Sequence, residues 1–168
     1  MINNPLKYAL IWIVLVALQI LLFNHIQFSG YVNPYVYVLF ILLLPFETPK
    51  YLLLLLAFLL GLNIDIFGNT PGLHASATTF MAFLKPTVVS LISPRDTIDT
   101  SSPPRLQQMG PAWFIRYTVI LVLIHHLFLF YIEVFTLKDF IFTLLRSFFS
   151  SAFTIVFIVL SQFFIFKE

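Results

Sequence analysis

Few side chains in this sequence can do chemistry, and the most telling of them crowd one stretch. Gly61-Leu-Asn-Ile-Asp65-Ile-Phe-Gly68-Asn-Thr-Pro-Gly72-Leu-His74-Ala75 places an aspartate and a histidine among three glycines. The stretch follows Tyr51–Leu60, almost pure leucine, and precedes another long apolar run. A carboxylate beside lipid is costly, so an ionisable residue there is a functional candidate by default. The other candidates are His126, Glu133 and Arg146, with His125 adjacent, all within apolar runs. A helical metal site would want histidines at i, i+4 or a carboxylate in register. Neighbouring residues on a helix point about 100° apart, so His125 and His126 cannot both face one site. A structural, helix-contacting role is the simpler reading for them.

The other signatures of catalysis are missing. There is no G-x-S-x-G, no H-E-x-x-H and no Walker A motif. Ser76 follows His74 by two residues, which puts the pair on different helix faces. Cysteine is absent, which removes disulfides, thiolate nucleophiles and Cys-ligated metals. No basic cluster offers a nucleic-acid surface. The residues therefore point away from an enzyme, with no catalytic group, metal or cofactor expected.

What must position these groups is a bundle of apolar helices. Of 168 residues, 60% are hydrophobic and 10% charged, with a net charge of +2 and a mean hydropathy of +0.99. A soluble domain carries about a quarter charged residues, so this chain reads as an all-α integral membrane protein of one domain. Six apolar segments stand out, at 6–23, 31–44, 50–67, 72–92, 112–135 and 138–166. The second is short and bounded by Pro34 and Pro45, as a tilted or re-entrant helix would be. Thr48-Pro49 and Thr70-Pro71 look like helix starts, a capping hydroxyl before a proline. Gly110-Pro111 is a weaker start, and Thr136-Leu-Lys-Asp139 a capping-box variant. Lys85-Pro86 should kink the fourth span and let Lys85 reach the interface. The first segment lacks a small-x-small cleavage site and reads as an uncleaved span. The polar stretch 93–110 reads as a solvated cytoplasmic loop.

Lys7, Lys50, Arg95, Arg105, Arg116 and Lys167 fall at the ends on the side of the N-terminus; Lys138 falls at the other, with Arg146 a little further in. The positive-inside rule then puts both termini in the cytoplasm. Asp65, His74, Glu133, His126 and Arg146 would share the outer half of the bundle, with Gln19, Asn24 and His25 at the outer end of the first span. A buried guanidinium stays charged and needs a partner; Asp65 and Glu133 are the carboxylates available to Arg146. For Glu133 and His25 the simpler reading is a side chain snorkelling to the interface.

The pattern Gly61-Leu62-x-x-Asp65, then Gly72-Leu73-His74-Ala75, resembles the motif of the bacterial rod-shape-determining MreD family. Gln19 in the first span, the Pro34–Pro45 segment and the Glu47-Thr48-Pro49 turn are similar too. Lys85-Pro86 departs from the Arg-Pro of many members, and the second half matches only in hydropathy.

The resemblance implies a non-enzymatic, multi-pass subunit of the cell-elongation machinery in the bacterial cytoplasmic membrane. Its partners would be MreC and, directly or through MreC, MreB filaments and peptidoglycan synthases, besides the lipid bilayer. The resemblance also implies a six-helix arrangement similar to the substrate-binding component of energy-coupling-factor transporters. Gly61, Asp65, Gly72 and His74 carry the family pattern. The alternative reading is the solute-binding membrane component of such a transporter.

Overall fold

The computed structural model describes residues 5–25, 32–93, 103–136 and 139–164. Its helices are α1 (Pro5–Leu21), α2 (Leu39–Leu43), α3 (Lys50–Gly68), α4 (Leu73–Ile92), α5 (Leu106–Met109), α6 (Pro111–Val134) and α7 (Phe140–Phe164). Four of them, α3, α4, α6 and α7, are long and apolar enough to cross a membrane, and α1 is an apolar helix of 17 residues. The chain is a helical, multi-pass membrane protein. Each long helix turns an apolar face outward; on α7 that face includes Phe142, Phe148, Phe149 and Phe163. Lipid tails are as apolar as these side chains, so packing and polar bonds, not burial from water, must hold the helices together.

α3 packs on α4, α4 on α6 and α6 on α7, while α1 lies against α3. The second apolar segment occupies the space they enclose. It is no continuous helix. A 3₁₀ turn, Val36–Val38, runs into the five residues of α2. All nine side chains from Val36 to Leu44 are buried. This explains a run with no polar face at all: a helix that is hydrophobic all round belongs in an interior. Eight helical residues rise roughly 12 Å, well short of a hydrocarbon core of about 30 Å. The expected span at 31–44 is thus a short inner segment lined on all sides by protein.

Proline sets its limits. Pro45 has no N–H to give to the carbonyl of Ile41 and disfavours helix at the residue before it. Leu44 is accordingly extended, with φ −63° and ψ 136°. Pro34 similarly leaves Asn33 and Tyr35 outside the helix.

Several sequence-based boundaries move. Thr48 does not cap α3: its Oγ1 donates to the carbonyl of Pro45 at 2.7 Å, and Pro49 is the N-cap. Thr70 does not cap α4 either; Gly72 precedes the helix with φ +82°. Gly110 does precede α6, with Pro111 at the first helical position. The connector at 93–110 contains the short helix α5 and is tied across its ends by Trp113 Nε1 donating to Ser93 Oγ at 2.9 Å. Arg95, Lys138, Lys167 and the middle of the Thr136–Asp139 box lie outside the described residues, as does the side chain of His25.

Candidate functional site

The motif stretch forms a joint between α3 and α4. Gly61 and Asp65 lie one turn apart on the same face of α3, against the start of α4. A Cβ on Gly61 would strike the backbone of His74 and Ala75. Only glycine lets the two helices approach this closely. Asp65 then does what Thr70 was expected to do. Its Oδ1 accepts from His74 N and its Oδ2 from Ala75 N, both at 2.9 Å. These are two of the orphan donors in the first turn of α4. A carboxylate there also complements the positive end of the helix dipole. Thr70 Oγ1 donates to Asp65 Oδ1 at 2.9 Å and orients the cap. Asn69, in the left-handed region with φ +53°, closes α3 by donating its N–H to the Asp65 carbonyl. Gly61, Gly72 and Asp65 thus have structural uses, and Asp65 spends both carboxylate oxygens on backbone.

His74 faces inward instead. Its Nδ1 lies 3.0 Å from the Tyr37 hydroxyl, which also meets His125 Nε2 at 2.9 Å and Thr78 Oγ1 at 3.2 Å. Tyr37 has one proton to give, so at least one of the two imidazoles must donate to it. His125 Nδ1 has no partner among the described residues. His126 points elsewhere: its Nδ1 donates to Val122 O at 2.9 Å and its Nε2 meets Thr154 Oγ1 at 3.1 Å. The neighbouring histidines take different partners, as their angular offset requires. The Tyr35 ring nonetheless touches both, with centroids 6.2 Å and 5.5 Å away, and packs edge-on to His74 at 4.9 Å.

Arg146 pairs with Glu133 at 3.1 Å and not with Asp65. Both side chains keep contact with the surroundings, 19% and 37% exposed, and the guanidinium carbon sits 4.2 Å over the Phe130 ring. The His126 ring lies 6.0 Å from the same Phe130 ring. The outer polar group expected from sequence is therefore three arrangements: the Asp65 cap, the Tyr37–His74–His125 centre with His126 beside it, and the Glu133–Arg146 pair. Among the described residues no three His, Asp or Glu groups are arranged to hold a metal ion.

The residues that sequence reasoning underrated are those that serve the inner segment. Gln19 is fully buried. Its Oε1 accepts from Val36 N at 2.8 Å and Tyr37 N at 3.4 Å. Its Nε2 donates to Pro34 O at 3.1 Å and Asn24 Oδ1 at 3.0 Å, which fills the amide's four hydrogen-bonding positions. Thr154 Oγ1 accepts from Tyr35 N at 2.9 Å and Ser150 Oγ from Asn33 N at 3.1 Å. At the other end Tyr117 donates to Leu42 O at 3.0 Å. Lys85 is the largest correction. It does not reach an interface but is 3% exposed, with Nζ donating to Ile41 O at 2.9 Å and Leu44 O at 2.7 Å. It supplies the donor that Pro45 withholds, at the C-terminus of α2. Irregular backbone at membrane depth is tolerated only where protein or a wet cavity satisfies it; here side chains from α1, α4, α6 and α7 do so. The signal was present in the two prolines around a fully apolar run, but nothing in the order of residues says which polar side chains answer it.

A cavity of about 330 Å³ opens at the Asp65 end, where α1, α3 and α4 meet the start of the inner segment. Asn24, Asn33, Tyr35, Thr70 and His74 form its polar wall.

Fold and site together define a helical membrane protein built around a short inner segment. Comparison with family models, with curated proteins and with solved structures finds no match to this chain.

Proposed function

We propose that this chain is a non-enzymatic membrane subunit of the bacterial cell-elongation complex, with both termini cytoplasmic, six membrane segments and MreC as its direct partner. Through MreC it would couple MreB filaments to lateral peptidoglycan synthesis. The carrying observation is that Gly61, Asp65 and Gly72, three of the four positions of the family-like pattern, meet in one joint, with the backbone of the fourth, His74, held by Asp65. A pattern whose residues pack, cap and turn suits a subunit that presents a surface and turns over no substrate. Both carboxylate oxygens of Asp65 accept from α4 backbone N–H groups, so the carboxylate acts by holding the α3–α4 turn in shape.

Co-expression with MreC of the same organism, followed by pull-down in mild detergent, tests this. MreC should co-purify with the wild-type chain. Asp65→Ala should lose MreC more than it loses membrane insertion. Failure of MreC to co-purify, or rod shape surviving clean deletion of a single-copy gene, would overturn the proposal.

A further inference from the structure

We infer that the cavity at the Asp65 end is a binding site for a small, uncharged, ring-bearing molecule with a hydrogen-bonding edge. Four observations carry this. The space, about 330 Å³, falls at the lower end of the range of ligand pockets. Its lining is mixed: Ile20, Phe23 and Phe67 are apolar, while Asn24, Asn33, Tyr35, Thr70 and His74 carry polar groups. Among the described residues no carboxylate, ammonium or guanidinium lines it, and Asp65 behind Thr70 has its carboxylate oxygens committed to the cap. A charged ligand would lose its hydration without a counter-charge, while an aromatic or saturated ring could lie on the Phe23, Tyr35 and Phe67 faces.

The polar wall also keeps unspent valence. His74 uses Nδ1 on Tyr37, and its Nε2 has no described partner. Asn24 accepts from Gln19 through Oδ1, and its amide N–H groups have no partner among the described residues. These groups hang on the anchors of the inner segment: Gln19 holds Asn24 and the Val36 N–H, and Tyr37 holds His74. The wall is preorganised by bonds the fold needs in any case. A free solute and the ring headgroup of a membrane lipid would offer the same chemistry.

The inference rests on the cavity and stands whether or not MreC binds. The test uses the full chain in lipid nanodiscs and saturation-transfer NMR with nicotinamide, thymidine and nicotinate. The two neutral rings should bind, and the acid, which differs from nicotinamide by its charge, should not. Asn33→Ala should weaken binding by about tenfold through loss of one edge contact. Ile20→Phe, which fills the space without touching the caps, should abolish it while thermal unfolding stays unchanged. Native mass spectrometry of chain extracted with its own lipids separates the sources: a bound mass with acyl chains means a headgroup, one without them a solute, and either must vanish in Ile20→Phe. Equal binding of nicotinate and nicotinamide overturns the inference. So does binding that survives Ile20→Phe, or no bound probe and no bound mass in a natively folded chain.

Discussion

The α3–α4 joint and the inner segment solve the same problem by different means. Both must satisfy backbone groups that a continuous helix would have paired with its own neighbours. The joint does it locally: Asp65 reaches Thr70, His74 and Ala75, at most ten residues away. The inner segment does it across the molecule, through Gln19, Lys85, Tyr117, Ser150 and Thr154, with separations up to 119 residues. The joint is a turn that part of the chain can make alone. The inner segment exists only when α1, α4, α6 and α7 have assembled around it. In lipid, where apolar burial distinguishes poorly between helix and acyl chain, such long-range bonds are what single out one packing of the bundle.

The contrast predicts a ranking of damage. Lys85→Met strips two carbonyls beside Pro45 of their donor and should cost the most, about 3 kcal/mol, at up to 1–3 kcal/mol for each buried group left unpaired. Reversible unfolding in bicelles measures it. Gln19→Leu unpairs the Pro34 carbonyl and the Val36 and Tyr37 N–H groups; it should cost about as much and should also raise hydrogen exchange at the Val36 and Tyr37 amides.

Asp65→Ala should cost less, about 1 to 1.5 kcal/mol, as the loss of a helix cap does. If Asp65→Ala proved more damaging than Lys85→Met in the same assay, the division into local and long-range anchoring would fall. Arg146→Leu should change stability least, by about 0.5 kcal/mol, because an ion pair this open to its surroundings contributes little. A loss several times larger would mean that the Glu133–Arg146 pair helps to hold α6 on α7.

How much of this was legible varies with distance along the chain. Composition alone marked the membrane class, and the glycines, Asp65 and His74 marked the joint. Even so, the capping role fell to Asp65 and not Thr70, because the left-handed turn at Asn69 and Gly72 brings the end of α3 over the start of α4. Arg146 was known to need a carboxylate, but two were on offer and helix packing chose Glu133. Lys85 was read as an interfacial cation. Its apolar stem and position on α4 fit that reading, and only the carbonyls of Ile41 and Leu44, more than 40 residues earlier, redirect it.

The sequence by itself determined that the chain is built for lipid, where its four long helices begin and end to within a turn, and that prolines bound the short second segment. Those are properties of local composition, of proline's missing N–H and of glycine's missing side chain. The tertiary structure decided where that broken segment goes, which polar side chains complete its backbone, and that a polar cavity opens beside it. A hydrogen bond between residues 119 positions apart has no trace in either neighbourhood, because the partner is selected by how whole helices pack and not by the residues beside it.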